Sequence, residues 1–94
     1  MSEDELVDAV VREIQTMAIA GEDVPSLLRR VQKVVGRDDC KLISVVCFHK
    51  ALDVGIASVS AVAGWHGFGG ELSDAQVSGF LLPVLEDYRR TSLE

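Results

Sequence analysis

Ninety-four residues with a formal net charge of −6 fit one small domain, and the acidic balance works against nucleic acid and anionic membranes while favouring cationic partners. Hydrophobic residues make up 48% of the chain against 26% charged, so either the core is dense or a partner covers part of the apolar surface. Two cysteines, Cys40 and Cys47, are too few for a disulfide framework, and on one helix they would stand roughly 10 Å apart, beyond disulfide reach.

The first helix is expected over 3–20. Ser2 and Glu5 form a capping box, and Glu3, Asp4 and Glu5 suit the positive end of the helix dipole. Leu6, Val10, Ile14 and Met17 mark its apolar face, joined by Val7, Val11 and Ala18. Gly21 stops it. Asp23 caps a second helix with Pro25 in its first turn, an apolar stripe of Leu27, Leu28, Val31, Val34 and Val35, and Gly36 at its end.

Asp38 is the expected cap of a third helix from 39 to about 52, whose apolar positions Leu42, Ile43, Val45, Val46, Cys47 and Phe48 wrap most of its circumference and make it central. Gly55 breaks the chain. Ile56, Val59, Val62 and Ala63 then line one face of a short fourth helix ending at Gly64, kept thin by Ala57, Ser58, Ser60 and Ala61; the two-residue alternation here leaves a strand as the competing reading. The last helix starts at a capping box of Ser73 and Gln76, with Leu72 stapling against Val77. Its buried face is expected to be Val77, Phe80, Leu81, Val84, Leu85 and Tyr88, kinked at Pro83, with Arg89 and Arg90 against the negative end of its own dipole. The fold expected is an all-α, compact five-helix bundle, orthogonal or irregular, with the fourth helix short. One domain spans 1–92, and 93–94 are set aside as a candidate expression-vector remnant.

The start MSEDELVDAV is acidic where a signal peptide would be basic, and the apolar run 42–63 is interrupted by His49, Lys50 and Asp53, so neither secretion nor a membrane span is expected and the chain is read as cytoplasmic.

The segment 51–70 carries one carboxylate and no lysine or arginine, and its last seven residues, GWHGFGG, hold four glycines and the single tryptophan. If Trp65 or Phe68 points outward, the loop offers an interface anchor; if both fold inward, it is a hydrophobic lid. The inward reading is preferred for Trp65, because so small a protein needs its largest apolar side chain. His66 is either a partner-contacting, pH-responsive group or a plain exposed histidine. The loop lacks GxxxxGK[ST], so a phosphate cradle is not expected.

Asp53 stands one turn after His49 and could orient its ring, but Cys47 and His49 lie about 200° apart around a helix, so a local cysteine–histidine dyad is not supported. Cys40, Cys47, His49 and His66 lack the close spacing of a zinc site, and no metal or cofactor is expected. Arg29, Arg30, Lys33, Arg37 and Lys41 form a local basic cluster. ALDVG followed by IASVSAV resembles the alanine-to-glycine spacing of a helix-turn-helix. Its second helix, however, offers no Arg, Lys, Asn or Gln to read base edges, so nucleic acid is not an expected partner. Glu86 and Asp87 are adjacent rather than facing, which does not suit paired acid–base chemistry.

The function expected from these features is noncatalytic protein recognition, by a small acidic inhibitor or regulator. Its contact residues are Glu3, Asp4 and Asp8 on the acidic edge, where helix-start electrostatics is the competing explanation, and Trp65, His66 and Phe68 in the loop. The partner is a basic protein or a second copy of the chain. The alternative is a small-ligand-binding or enzymatic module with a pocket at Cys47, Trp65 and His66.

Overall fold

The local start and stop signals set the helix boundaries, as the computed structural model of the chain, which describes residues 2–36 and 40–93, makes visible. Helix α1 (Glu3–Ile19) begins where the Ser2 hydroxyl accepts the Glu5 N–H at 3.2 Å. Helix α2 (Val24–Val35) begins where the Asp23 carboxylate accepts the Ser26 N–H at 2.9 Å, and ends at Gly36 in the left-handed region, φ 73°. Helix α3 (Lys41–Leu52) has no side-chain cap at Cys40, which is buried. The expected cap Asp38, with Arg37, Asp39 and the terminal Glu94, lies outside the described residues.

Helix α4 (Ile56–Val59) is a single turn, and the chain tightens at once into 3-10 geometry over Ser60–Gly64 and again over His66–Phe68. Among the described residues no strand forms, only an isolated bridge between Trp65 and Leu72. Helix α5 (Asp74–Leu93) opens on a reciprocal capping box. Gln76 N–H donates to Ser73 Oγ at 3.2 Å, and the Ser73 N–H donates to Gln76 Oε1 at 2.9 Å. The helix continues through Pro83.

These elements form the compact, mostly helical five-helix bundle expected, with a radius of gyration of 12.0 Å, close to the roughly 12 Å of a compact chain this long. Helix α3 is central, packing against α1, α4, α5 and the 3-10 segment after α4. Among the described residues no single helix is long and apolar enough to cross a membrane, and the pair Lys41–Leu52 and Ile56–Gly64, apolar enough only together, is bent by 115°.

Three apolar residues assigned to the core are outside it. On α1 the buried line is Val7, Val10, Ile14 and Ala18, with Leu6, Val11 and Met17 as half-buried flanks. On α3 one ridge, Leu42, Val46, His49 and Lys50, faces outward, leaving Leu42 79% exposed. On α5 Phe80 is 61% exposed because it sits about 60° around the helix from Val77, beyond the edge of the Val77, Leu81 and Leu85 stripe. Ile56 is exposed likewise, since α4 buries only Val59. A helix periodicity identifies a face, but whether its margin is covered depends on where the next element lies.

Helix α1 has no basic residue in its last turn. Arg89 supplies one from α5, donating from Nε to Ala18 O and from Nη2 to Glu22 O, each at 2.6 Å. Its charge therefore serves the end of α1 rather than of its own helix, while Arg90 pairs with Asp87. Gln15 Nε2 donates to Ala51 O at 3.2 Å, binding α1 to the end of α3.

Two stability changes test this packing. Arg89→Ala strips two charge-assisted bonds and should cost about 2 kcal/mol in urea unfolding. Lysine should restore only part, having no planar fork. Conversely, the Ser44 hydroxyl is buried inside α3 without a hydrogen-bond partner. Ser44→Ala should therefore leave stability unchanged or raise it by about 1 kcal/mol; a clear loss would mean that the hydroxyl is satisfied.

Candidate functional site

Two places concentrate unusual side chains: the glycine loop beside the start of α5, and the outer face where α1 meets α3. The loop forms because two of its glycines sit where no other residue fits. A Cβ on Gly67 would lie 2.4 Å from the Trp65 ring, and one on Gly70 would lie 2.2 Å from the Gly64 carbonyl oxygen. That close approach lets Leu72 N–H donate to Gly64 O at 2.7 Å and His66 N–H donate to Leu72 O at 2.8 Å. From α2, Gln32 Nε2 donates to Gly67 O at 2.6 Å.

The fold turns Trp65 inward, as preferred from sequence, and Phe68 with it: both are buried, their rings edge-to-face at 4.9 Å. As contact anchors these two assignments are corrected, because neither ring is available to a partner. His66 remains exposed, edge-on to Trp65 at 5.2 Å.

Asp74, in the first turn of α5, gathers the polar ends of this loop. Its Oδ1 accepts from Trp65 Nε1 at 2.7 Å and from His66 Nε2 at 2.9 Å, and its Oδ2 accepts from Arg29 Nη2 of α2 at 2.6 Å. The Arg29 guanidinium also lies 5.9 Å from the Trp65 ring centroid. Because an ionised carboxylate only accepts, the facing His66 nitrogen carries the proton. The Trp65 and His66 hydrogen bonds, then Arg29, hold the Asp74 carboxyl down at about 2. A carboxylate so depressed and so fully engaged is a poor proton acceptor; the arrangement clasps the loop to α2 and α5. It also removes Arg29 from the basic cluster.

Cys47 is fully buried in α3, and desolvation pushes its thiol up to about 11, against a lowering by Lys50. The thiolate needed for nucleophilic attack or metal binding is disfavoured there. The His49 Nδ1 faces the Val54 carbonyl rather than Asp53, which instead turns left-handed at φ 54° to end α3. Among the described residues no three His, Cys, Asp or Glu side chains come together in a metal-holding group.

The second place is an open cleft of about 410 Å³. Glu3, Asp4 and Val7 of α1 form one wall; Leu42, Ile43, Val46 and Lys50 of α3 form the other. Asp8 is exposed one turn beyond Asp4 and does not line it. Cys47, Trp65 and His66 line neither this cleft nor the recesses beside Tyr88 and Phe80. Glu3, Asp4 and His66 are thus exposed where the sequence reading put them.

Sequence reasoning missed Asp74 and knew Arg29 only as part of a basic cluster; the two are 45 residues apart and meet only through the fold. It also missed the ridge of Leu42, Val46 and Lys50. Two signals were available: a carboxylate directly after the Ser73 cap, and the four-residue spacing of that ridge.

The Asp74 clasp predicts an acid dependence. Its folded value lies below the ordinary 3.8, so its contribution is present above that pH and disappears as pH falls toward about 2. The thermal midpoint of Asp74→Asn should therefore fall less than that of the wild type across this window, and equal slopes would show that the clasp does not form.

The chain matches no protein-family model, no curated protein and no solved structure.

Proposed function

We propose that this chain is a noncatalytic protein-recognition module, an acidic inhibitor or regulator that docks its partner on the α1–α3 cleft. The observation that carries the reading is Leu42, a large aliphatic side chain left 79% exposed at a cleft whose lining mixes Val7, Ile43 and Val46 with charged residues. Covering such a side chain is worth about 1.5–3 kcal/mol to an interface, and charges around it add orientation and rate more than affinity. Among the described residues, Glu3, Asp4 and Lys50 make no ion pair within the chain, so they are available at the rim.

A small-ligand or enzymatic site at Cys47, Trp65 and His66 gains no comparable support. Trp65 and Phe68 fill the loop interior, the Cys47 thiol is buried and protonated, and Asp74 occupies the His66 nitrogen.

The test is a photoreactive residue at position 46, introduced into the full chain and irradiated in an extract of the source cell. We expect a discrete protein adduct that Leu42→Glu abolishes and Phe80→Ser leaves intact. An adduct indifferent to Leu42→Glu, or no adduct alongside turnover of a defined small substrate, would contradict the proposal. Leu42 is exposed enough for the variant to fold.

A further inference from the structure

We infer that the occupant of the α1–α3 cleft is a second copy of this chain, related by a two-fold axis. In that pairing Leu42 of each copy is covered, and Glu3 and Asp4 of each meet Lys50 of the other. The inference rests on the recognition reading above and adds the identity of the partner.

The argument is the distribution of charge. A two-fold interface uses one patch twice, so the patch must complement itself. Here α1 contributes two carboxylates and α3 contributes an apolar ridge, Leu42 and Val46, that ends one turn later in the Lys50 ammonium. Among the described residues neither sign is neutralised within the chain. A purely cationic segment entering the cleft would meet Lys50, and a purely acidic one would meet Glu3 and Asp4. The same surface turned by 180° answers both.

Size is compatible with this. A standard interface takes roughly 800 Å² from each partner, about a seventh of the chain's 5370 Å² of accessible surface, and the ridge from Leu42 to Lys50 runs about 12 Å along the cleft at a rise of 1.5 Å per residue. The net charge of −6 opposes association at long range, but a Debye length of about 8 Å at physiological ionic strength screens it.

Charge reversal separates a second copy from any other partner. Sedimentation equilibrium of the intact wild type should show a reversible monomer–dimer equilibrium that Leu42→Glu abolishes. The double variant Glu3→Lys, Asp4→Lys should dimerise about tenfold more weakly or worse, and so should Lys50→Glu, because each sets like charges face to face twice. Mixed together, the two variants should form a heterodimer within about threefold of wild-type affinity, since every reversed pair then regains an opposite partner. A folding defect cannot produce that rescue.

General charge repulsion gives the opposite expectation for the double variant, whose reversals add four positive charges to a chain of net −6 and should ease association. Wild type that stays monomeric at every accessible concentration, or a mixture no tighter than its components, overturns the second-copy assignment. If the position-46 probe still captures a different protein, the recognition reading survives that loss. If the probe captures nothing, both fall.

Discussion

Burying Trp65 is the constraint around which the second half of the molecule is arranged. The ring brings roughly 200 Å² of mostly apolar surface out of water, about 5 kcal/mol on ordinary area bookkeeping, but its indole N–H must find an acceptor when it does so. Asp74 is that acceptor, and it can be reached only because the chain doubles back sharply enough for Gly70 to lie against the Gly64 backbone. The same carboxylate draws in Arg29 from α2 and His66 from the loop. One polar demand created by hydrophobic burial thus joins α2, the glycine loop and α5.

Much of the architecture was legible because its signals are local. Ser2, Asp23, Gly36 and the Ser73–Gln76 box act within one turn of chain, and each does in the structure what its chemistry implies. The segment after Gly55 was less legible because a three-residue spacing fits both kinds of helix. Val59 and Val62 are buried as a helical face would have them, but the chain tightens into 3-10 geometry after Val59 and turns extended at Trp65, a change of winding the spacing does not show. Leu42 and Phe80 went astray for another reason. Their spacing allowed burial, but among the described residues the neighbouring elements leave their edge of the helix uncovered. Asp74 and Arg29 could not be joined by any local rule, since what brings them together is the Trp65 indole between them.

The division of labour between the two halves bears on function. The loop of 64–70, chemically the most suggestive stretch of the sequence, spends its aromatic rings and its polar groups on holding the bundle together. Cys47, the other reactive candidate, is sealed inside α3 with its thiol raised. Among the exposed side chains of the described residues, the α1–α3 cleft gathers plainer ones: the most exposed large apolar side chain, Leu42, with two carboxylates of a helix start and one lysine. Helix-start electrostatics accounts for Glu3 and Asp4 on α1 by themselves, but it does not account for Leu42. It is the apolar ridge beside them, not the charged helix end alone, on which the proposed recognition surface rests.

The single tryptophan makes the central claim directly measurable through hydrogen exchange of its indole N–H. If the ring is seated as described and held by Asp74, that proton exchanges only as fast as the domain globally unfolds, and Gly67→Ala, which places a methyl group against the ring, abolishes the protection. Exchange at the rate of a free indole in the folded wild-type protein would contradict the account at its base.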